Sequence, residues 1–430
     1  MTIREGVKFH DGTPMTAEDV GLSIMDTLKN PISQMQVYVS GVSGYEVVDD
    51  HTLLVNFDVP NPVFPVSLTN VVVMPEKMIE EMGRDKFMTN PIGTGPYKFV
   101  KWQTDDYLEL TAWEGFWGDQ PDFKHVRLQK IPNNSTRVAS LISGESQVTE
   151  GIAPSDFERI RGDDSLKIEM DPGRRIMYLG LDYHDGVSPG TNVKDKNPFM
   201  DPNVRKAISL GIDRELIASK LFDGAVAVSA QFLPPSSAAF NKDVAPIPYD
   251  PKQSKELLEK AGYKDGLTVR FDSPNDRYMY DSLVAQAIGG FLKKADVKVD
   301  VEAVPMTVYL SSVLRKFNSS MYLLGWGNTA SLSTWKSVFH CPDASKGLGV
   351  MNFIRYCNPK ADAIINEASN TFDSDKRNDL IRQAYAIAIE EDYAYLPLYF
   401  QSEVGAMNKH IVWKPRPDGI VLSWEMESKY

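Results

Sequence analysis

Between residues 267 and 326 the apolar positions switch between two periods. Leu267-Thr268-Val269-Arg270-Phe271 and Val297-Lys298-Val299-Asp300-Val301 read as half-buried strands, the second alternating strictly. Between them Leu283, Ala287 and Phe291 recur at helical spacing, and Val308, Val313 and Leu314 mark a further helix. Met321-Tyr322-Leu323-Leu324 is then a continuous apolar strand that ends at Gly325-Trp326-Gly327. The order β-α-β-α-β predicts a parallel α/β sheet, because parallel neighbours need a crossover that a helix supplies. Ligands of such sheets lie beyond the carboxyl ends of the strands, which puts Gly325 to Ser333 where a site is expected.

Helix starts are signalled elsewhere in the chain. Thr16-Ala17-Glu18-Asp19 has the form of a capping box with Asp at its last position, ahead of Val20, Ile24 and Leu28. Asp201-Pro202 and Asp250-Pro251 each put an N-cap acid before a proline at the first helical position. Their stripes are Val204, Ala207, Ile208 and Ile212, and Leu257, Leu258 and Ala261, with Gly262 as a stop. Leu380, Ile381, Ala384, Ile387 and Ala388 share one face of a late helix. The first 120 residues differ, with short strand-like runs such as Thr52 to Phe57 and prolines at 60, 62, 65, 75, 91 and 96. They read as a smaller, mixed domain.

Size and charge narrow the classes. A chain of 430 residues predicts two or three domains. Its net charge of -12 argues against general attraction to nucleic acid or to an anionic membrane. No apolar run nears the roughly 20 residues that cross a bilayer. The start, Met1-Thr2-Ile3-Arg4-Glu5-Gly6-Val7, shows no basic region followed by an apolar stretch, and by itself would argue for the cytoplasm. The two cysteines, Cys341 and Cys357, read either as unrelated buried thiols or as one disulfide closing a local loop. Their isolation in one loop favours the disulfide in an oxidising compartment. Their spacing is not that of a metal site, and no cofactor is implied.

Catalytic signatures are absent: no G-x-S-x-G, no H-E-x-x-H and no phosphate-binding loop. His10, His51, His125, His184, His340 and His410 are scattered singly. Paired carboxylates of a glycosidase-like enzyme have no diagnostic spacing here, so that reading survives only as a minor alternative.

Arg4-Glu5-Gly6-Val7-Lys8-Phe9-His10-Asp11-Gly12-Thr13-Pro14-Met15-Thr16-Ala17-Glu18-Asp19-Val20 closely resembles the signature of the extracellular solute-binding proteins of peptide, opine and nickel ABC importers. The resemblance continues in order through Pro91 to Tyr97, Asp201 to Arg214, Tyr249 to Tyr263, Gly325-Trp326, Asn352 to Asp362 and Leu396 to Tyr399. It implies a periplasmic binding protein-like fold: two α/β lobes closing on a cleft by hinge motion, plus a small accessory lobe. By this likeness residues 1–121 form the accessory lobe. Residues 122–231 with 401–430 form the first α/β lobe, and 232–400 the second. The implied role is capture of a peptide or other small polar solute for a membrane permease, by a monomeric non-enzyme in the periplasm or tethered outside the membrane. A ligand-sensing domain of a regulator is the alternative. The family also carries an export signal and opening strands before the first motif. The expectation is therefore an N-terminally truncated version whose first lobe has exposed sheet edges.

For the site, the resemblance and the strand-end rule both point to Trp326 as a pocket wall, with Gly325 beside it. Dipeptide-binding relatives place an aspartate after this Gly-Trp to pair with the peptide's amino terminus. Here Asn328, Thr329 and Ser331 follow, with no acid, which suits a neutral polar ligand such as an opine, a sugar-containing compound or a blocked peptide. Arg174, with Arg175 before a strand, could grip a carboxylate or phosphate, and Tyr178 faces either cleft or core. Gly93-Thr94-Gly95 reads as a tight structural turn.

Overall fold

The computed structural model describes residues 1–30, 33, 35–327 and 330–429. A seven-stranded mixed sheet organises it. Across the sheet run Val297–Val304, Leu267–Pro274, Met321–Gly327, Leu166–Leu181, Tyr395–Asn408 and Val148–Glu150, and Val226–Val228 adds to Tyr395–Asn408. The first three are parallel neighbours, as the alternating pattern predicts. Helix Asp281–Leu292 is the first crossover, and the second begins helical at Met306 and widens to a π-helix over Tyr309–Leu314.

Two strands are unusually long. Leu166–Leu181 and Tyr395–Asn408 pair antiparallel from end to end, and both halves of the molecule are built on them. Their pairing slips twice. Ser402 faces Pro172 and Phe400 faces Ile176, so Gly173, Arg174 and Arg175 together stand opposite the single residue Gln401. The second slip lies between Pro397 and Tyr399. Bulges of this kind bend a strand and re-aim its side chains.

Alternation sorts the sheet's side chains onto two unlike faces. On the back, Leu166, Met177, Leu179, Leu181, Met321, Leu323, Val404 and Ala406 join one apolar cluster. Helices Asn134–Ile142, Phe157–Arg161, Pro202–Leu210, Arg214–Leu221, Pro251–Lys260 and Asp281–Leu292 cover that face. On the front there are two separate clusters. Ile176, Tyr178, Tyr322, Leu324, Tyr395 and Phe400 pack under the segments 331–339, 359–369 and 374–391. Met407 packs with Ile411, Trp413 and Met426 of the C-terminal segment. The slipped stretch 173–175 falls between the two.

Local signals behave as the sequence predicts. Asp19 Oδ2 accepts from the Thr16 N–H at 2.8 Å, Asp201 and Asp250 cap their helices, and each is followed by its proline. The helix Pro202–Leu210 is bolted to Pro251–Lys260 by the buried Ser254 hydroxyl, which donates to the Ala207 carbonyl at 2.6 Å. Arg214 is fully buried and donates to the carbonyls of Pro397 and Ser209, fastening the back-face helices to a long strand. Burial without an acid pushes its guanidinium down to about 10.

In the N-terminal region, helix Ala17–Lys29 packs on the hairpin Val42–Asp49/Thr52–Phe57. A separate three-stranded sheet is made of Tyr97–Gln103, Tyr107–Ala112 and His125–Gln129. The end of Leu166–Leu181 and the helices up to Leu221 share the sheet and back core of residues 267–327.

Candidate functional site

The front-face gap collects the chemistry. Met321–Gly327 ends there, and Gly325 must be glycine: a Cβ would lie 2.7 Å from both Met177 Sδ and Tyr278 Cε1. Tyr278 comes from the loop after Leu267–Pro274 and donates its hydroxyl to the Gly325 carbonyl at 3.1 Å, tying two strand ends together. Trp326 is half-buried against the front cluster, and its indole N–H donates to Thr334 Oγ1 at 3.1 Å. One edge of the ring is thereby anchored.

Two cations flank Tyr278. The Arg175 guanidinium lies 5.8 Å and that of Arg277 5.4 Å from the Tyr278 ring centroid. Arg174 is fixed by its backbone, whose N–H donates to the Pro417 carbonyl at 2.9 Å. Among the described residues none of these three guanidiniums sits in an ion pair, whereas Arg416 beside them takes both Asp418 and Glu425. Arg416 holds the Asp418 carboxyl below its usual range. Burial raises the Tyr278 hydroxyl's pKa, which keeps it a neutral donor.

Of the residues singled out from sequence, Gly325 and Trp326 lie at this strand end, and Arg174 stands in the slipped stretch of the neighbouring strand. Tyr178 does not: it is fully buried, ringed by Phe232, Tyr322 and Tyr395, and belongs to the core. Alternation puts it on the front face, but the front helices cover it there. Ser331 is engaged structurally, its carbonyl accepting from the Tyr385 hydroxyl and its own hydroxyl meeting Ser237 at 3.2 Å. Asn328 and Thr329 lie outside the described residues. Cys341 and Cys357 form a disulfide. It closes a loop ending near Arg355, which bonds the buried Asp182.

Sequence reasoning missed Arg277, Tyr278 and Glu403, and gave Arg175 only a neighbour's part. The first two follow a parallel strand's carboxyl end, so the rule that picked out Trp326 would have reached them. Glu403, inside a strand, carries no such signal. The signature motifs also turn out to hold one another. His10 Nε2 lies 3.0 Å from the Gly95 carbonyl, and its Nδ1 accepts from the Gly93 N–H at 3.2 Å. That ties the turn Gly93-Thr94-Gly95 to the first motif. A half-open cavity of about 260 Å³, lined by Asp185, Lys196, Asp201 and Tyr263, shares no lining residue with the front-face gap.

A bent sheet shared by two halves, with a charged aromatic gap between front-face cores, defines a binding protein of the two-lobed type. The chain belongs to the bacterial extracellular solute-binding proteins, family 5 Middle, whose profile matches residues 1–340. It is 26% identical over 391 residues to the glutathione-binding protein GsiB of Pectobacterium atrosepticum, covering 89% of this chain and 73% of that protein. With the dipeptide-binding protein of Escherichia coli it shares 26% over 424 residues, covering 90% and 75%. Its fold matches the crystal structure of the ABC transporter substrate-binding protein CtaP of Listeria monocytogenes with a TM-score of 0.84 at 20% identity, over 100% of this chain and 87% of that one. The protein is thus the substrate-binding component of an ABC importer, in a group that serves peptides or nickel complexes. Neither the regulator nor the glycosidase reading is favoured by these likenesses. No helix among the described residues is long and apolar enough to cross a membrane.

Proposed function

We propose that this chain captures a small, carboxylate-bearing solute of peptide size in the front-face gap and presents it to a membrane permease. The observation that carries the reading is the pair of guanidiniums, Arg175 and Arg277, at the Tyr278 ring, which among the described residues sit in no ion pair, beside the strand end that bears Trp326. Arginine's planar fork suits carboxylates, and an unpaired one at a cleft is ready to take an anion without first breaking an internal pair. Glutathione and dipeptides, the solutes named for the two relatives, share a carboxylate, and that common chemistry is what the arginines fit. Trp326, pinned at one edge, offers a flat apolar wall to the rest of the solute. The protein works as a monomer outside the cytoplasmic membrane and catalyses no reaction.

Thermal-shift and calorimetric titration against dipeptides, glutathione, nickel-histidine, opines and neutral oligosaccharides tests this. Binding of at least one carboxylate-bearing solute is expected, weakened roughly tenfold or more by Trp326→Ala. Stabilisation only by the neutral oligosaccharides, or by nothing in the set, would sink the reading.

A further inference from the structure

One acid in the gap is left unused. Glu403 precedes Val404, which points into the back-face core, so its own side chain rises on the front. Two glycines shape the slot it occupies. A Cβ on Gly173 would lie 2.9 Å from Glu403 Oε1 and 2.6 Å from the Gln401 carbonyl oxygen. One on Gly419, at φ +71°, would lie 3.4 Å from both carboxylate oxygens. Gly173 belongs to the slipped stretch that carries Arg174 and Arg175, so the register slip that aims the arginines also makes room for this carboxylate.

Two neighbouring acids have cations. Asp171, directly across the ladder, takes Lys414 at 3.0 Å, and Asp418 takes Arg416 at 2.8 Å. Among the described residues Glu403 has neither an ion pair nor a hydrogen bond to its carboxylate. It is half-buried, and burial raises its carboxyl above the usual range. Arg175 acts in the opposite direction without reaching ion-pair distance, and Glu150 and Asp418 push it up further. A partly desolvated acid whose oxygens meet no donor is a cost to the empty protein. A cation arriving with the solute removes that cost. Glu403 and Arg175 therefore bracket the gap as an anion and a cation, neither satisfied by the other.

We propose that Glu403 is the specificity-determining acid of the cleft, pairing with the ammonium of a small amphoteric solute whose carboxylate lies against Arg175 and Arg277. This rests on the capture reading above and names the solute class within it. The loop after Trp326 carries no acid, and on this proposal the acid comes instead from the strand that both halves share. Position matters here: a charge pair formed on that strand puts the solute at its slipped register.

The test is calorimetric titration of the parent chain and of Glu403→Gln with dialanine, glutathione and their N-acetyl twins, which lack the ammonium. The parent should prefer the amine-bearing member of a pair by about tenfold to a hundredfold, and Glu403→Gln should erase that preference while leaving the acetylated twin's affinity unchanged. Without solute, Glu403→Gln should melt no lower than the parent, because the carboxylate has no partner to lose; a scaffold role would lower the melting temperature. Equal loss on both twins, or no preference in the parent, overturns the proposal. So does failure of both dialanine and glutathione to bind the parent, an outcome that leaves carboxylate capture to be judged by the wider panel of solutes.

Discussion

The two faces of the shared sheet differ in continuity. The back is one apolar cluster that runs without a break from Val138 and Phe157 through Leu179 and Leu323 to Leu292. The front is two clusters with arginines, a glutamate and half-buried aromatics between them. Both faces are made by the same strands, so the difference comes from what alternates along them and where the alternation slips. A continuous apolar back holds the halves in register. A divided front leaves Arg175 and Glu403, among the described residues, without an ion pair beside a slipped register of the sheet. Stability and binding are thereby assigned to opposite sides of the same few residues, and substitutions should separate them.

The largest effect is expected at the back. Leu323→Ala removes a fully buried side chain from a central strand and should cost roughly 2 to 5 kcal/mol, read by denaturant unfolding. Solute affinity of the folded fraction should stay within about twofold if the faces are independent. Replacing both Cys341 and Cys357 with serine should cost about 3 kcal/mol by freeing a loop of sequence separation 16. The disulfide belongs to the front half alone, so unfolding followed by two probes, one in each half, should show that half yielding first. A single unchanged transition would mean that the back core couples the halves fully. The smallest effect on stability, within about 0.5 kcal/mol, belongs to the exposed Arg277 changed to Gln. Its affinity for a carboxylate-bearing solute should nevertheless fall roughly tenfold. A comparable loss of melting temperature would show that the arginine braces Tyr278 and does not serve the solute.

The split between legible and hidden follows from range. Helix starts at Thr16, Asp201 and Asp250, the parallel run from 267 to 326, and the family signature were readable because caps, prolines and periodicity act over a few residues. Trp326 was readable because a strand's carboxyl end is a local feature with a general meaning. Tyr178 was half readable: alternation gives its partners on the strand, but only the packed helices decide that its front-facing ring is covered. The end-to-end pairing of Leu166–Leu181 with Tyr395–Asn408 was not readable, since it joins segments far apart in the chain.

Sequence alone therefore determined the class of protein and the α/β sheet, because local chemistry and an ordered series of motifs carry them. Only the tertiary structure decided which charges are left unpaired. Arg175 and Glu403 are 228 positions apart, and nothing near either one tells that their strands meet at a slipped register. Pairing across such a distance is settled by where the apolar faces lock. The unsatisfied charges are what remains at the bend when both cores have closed.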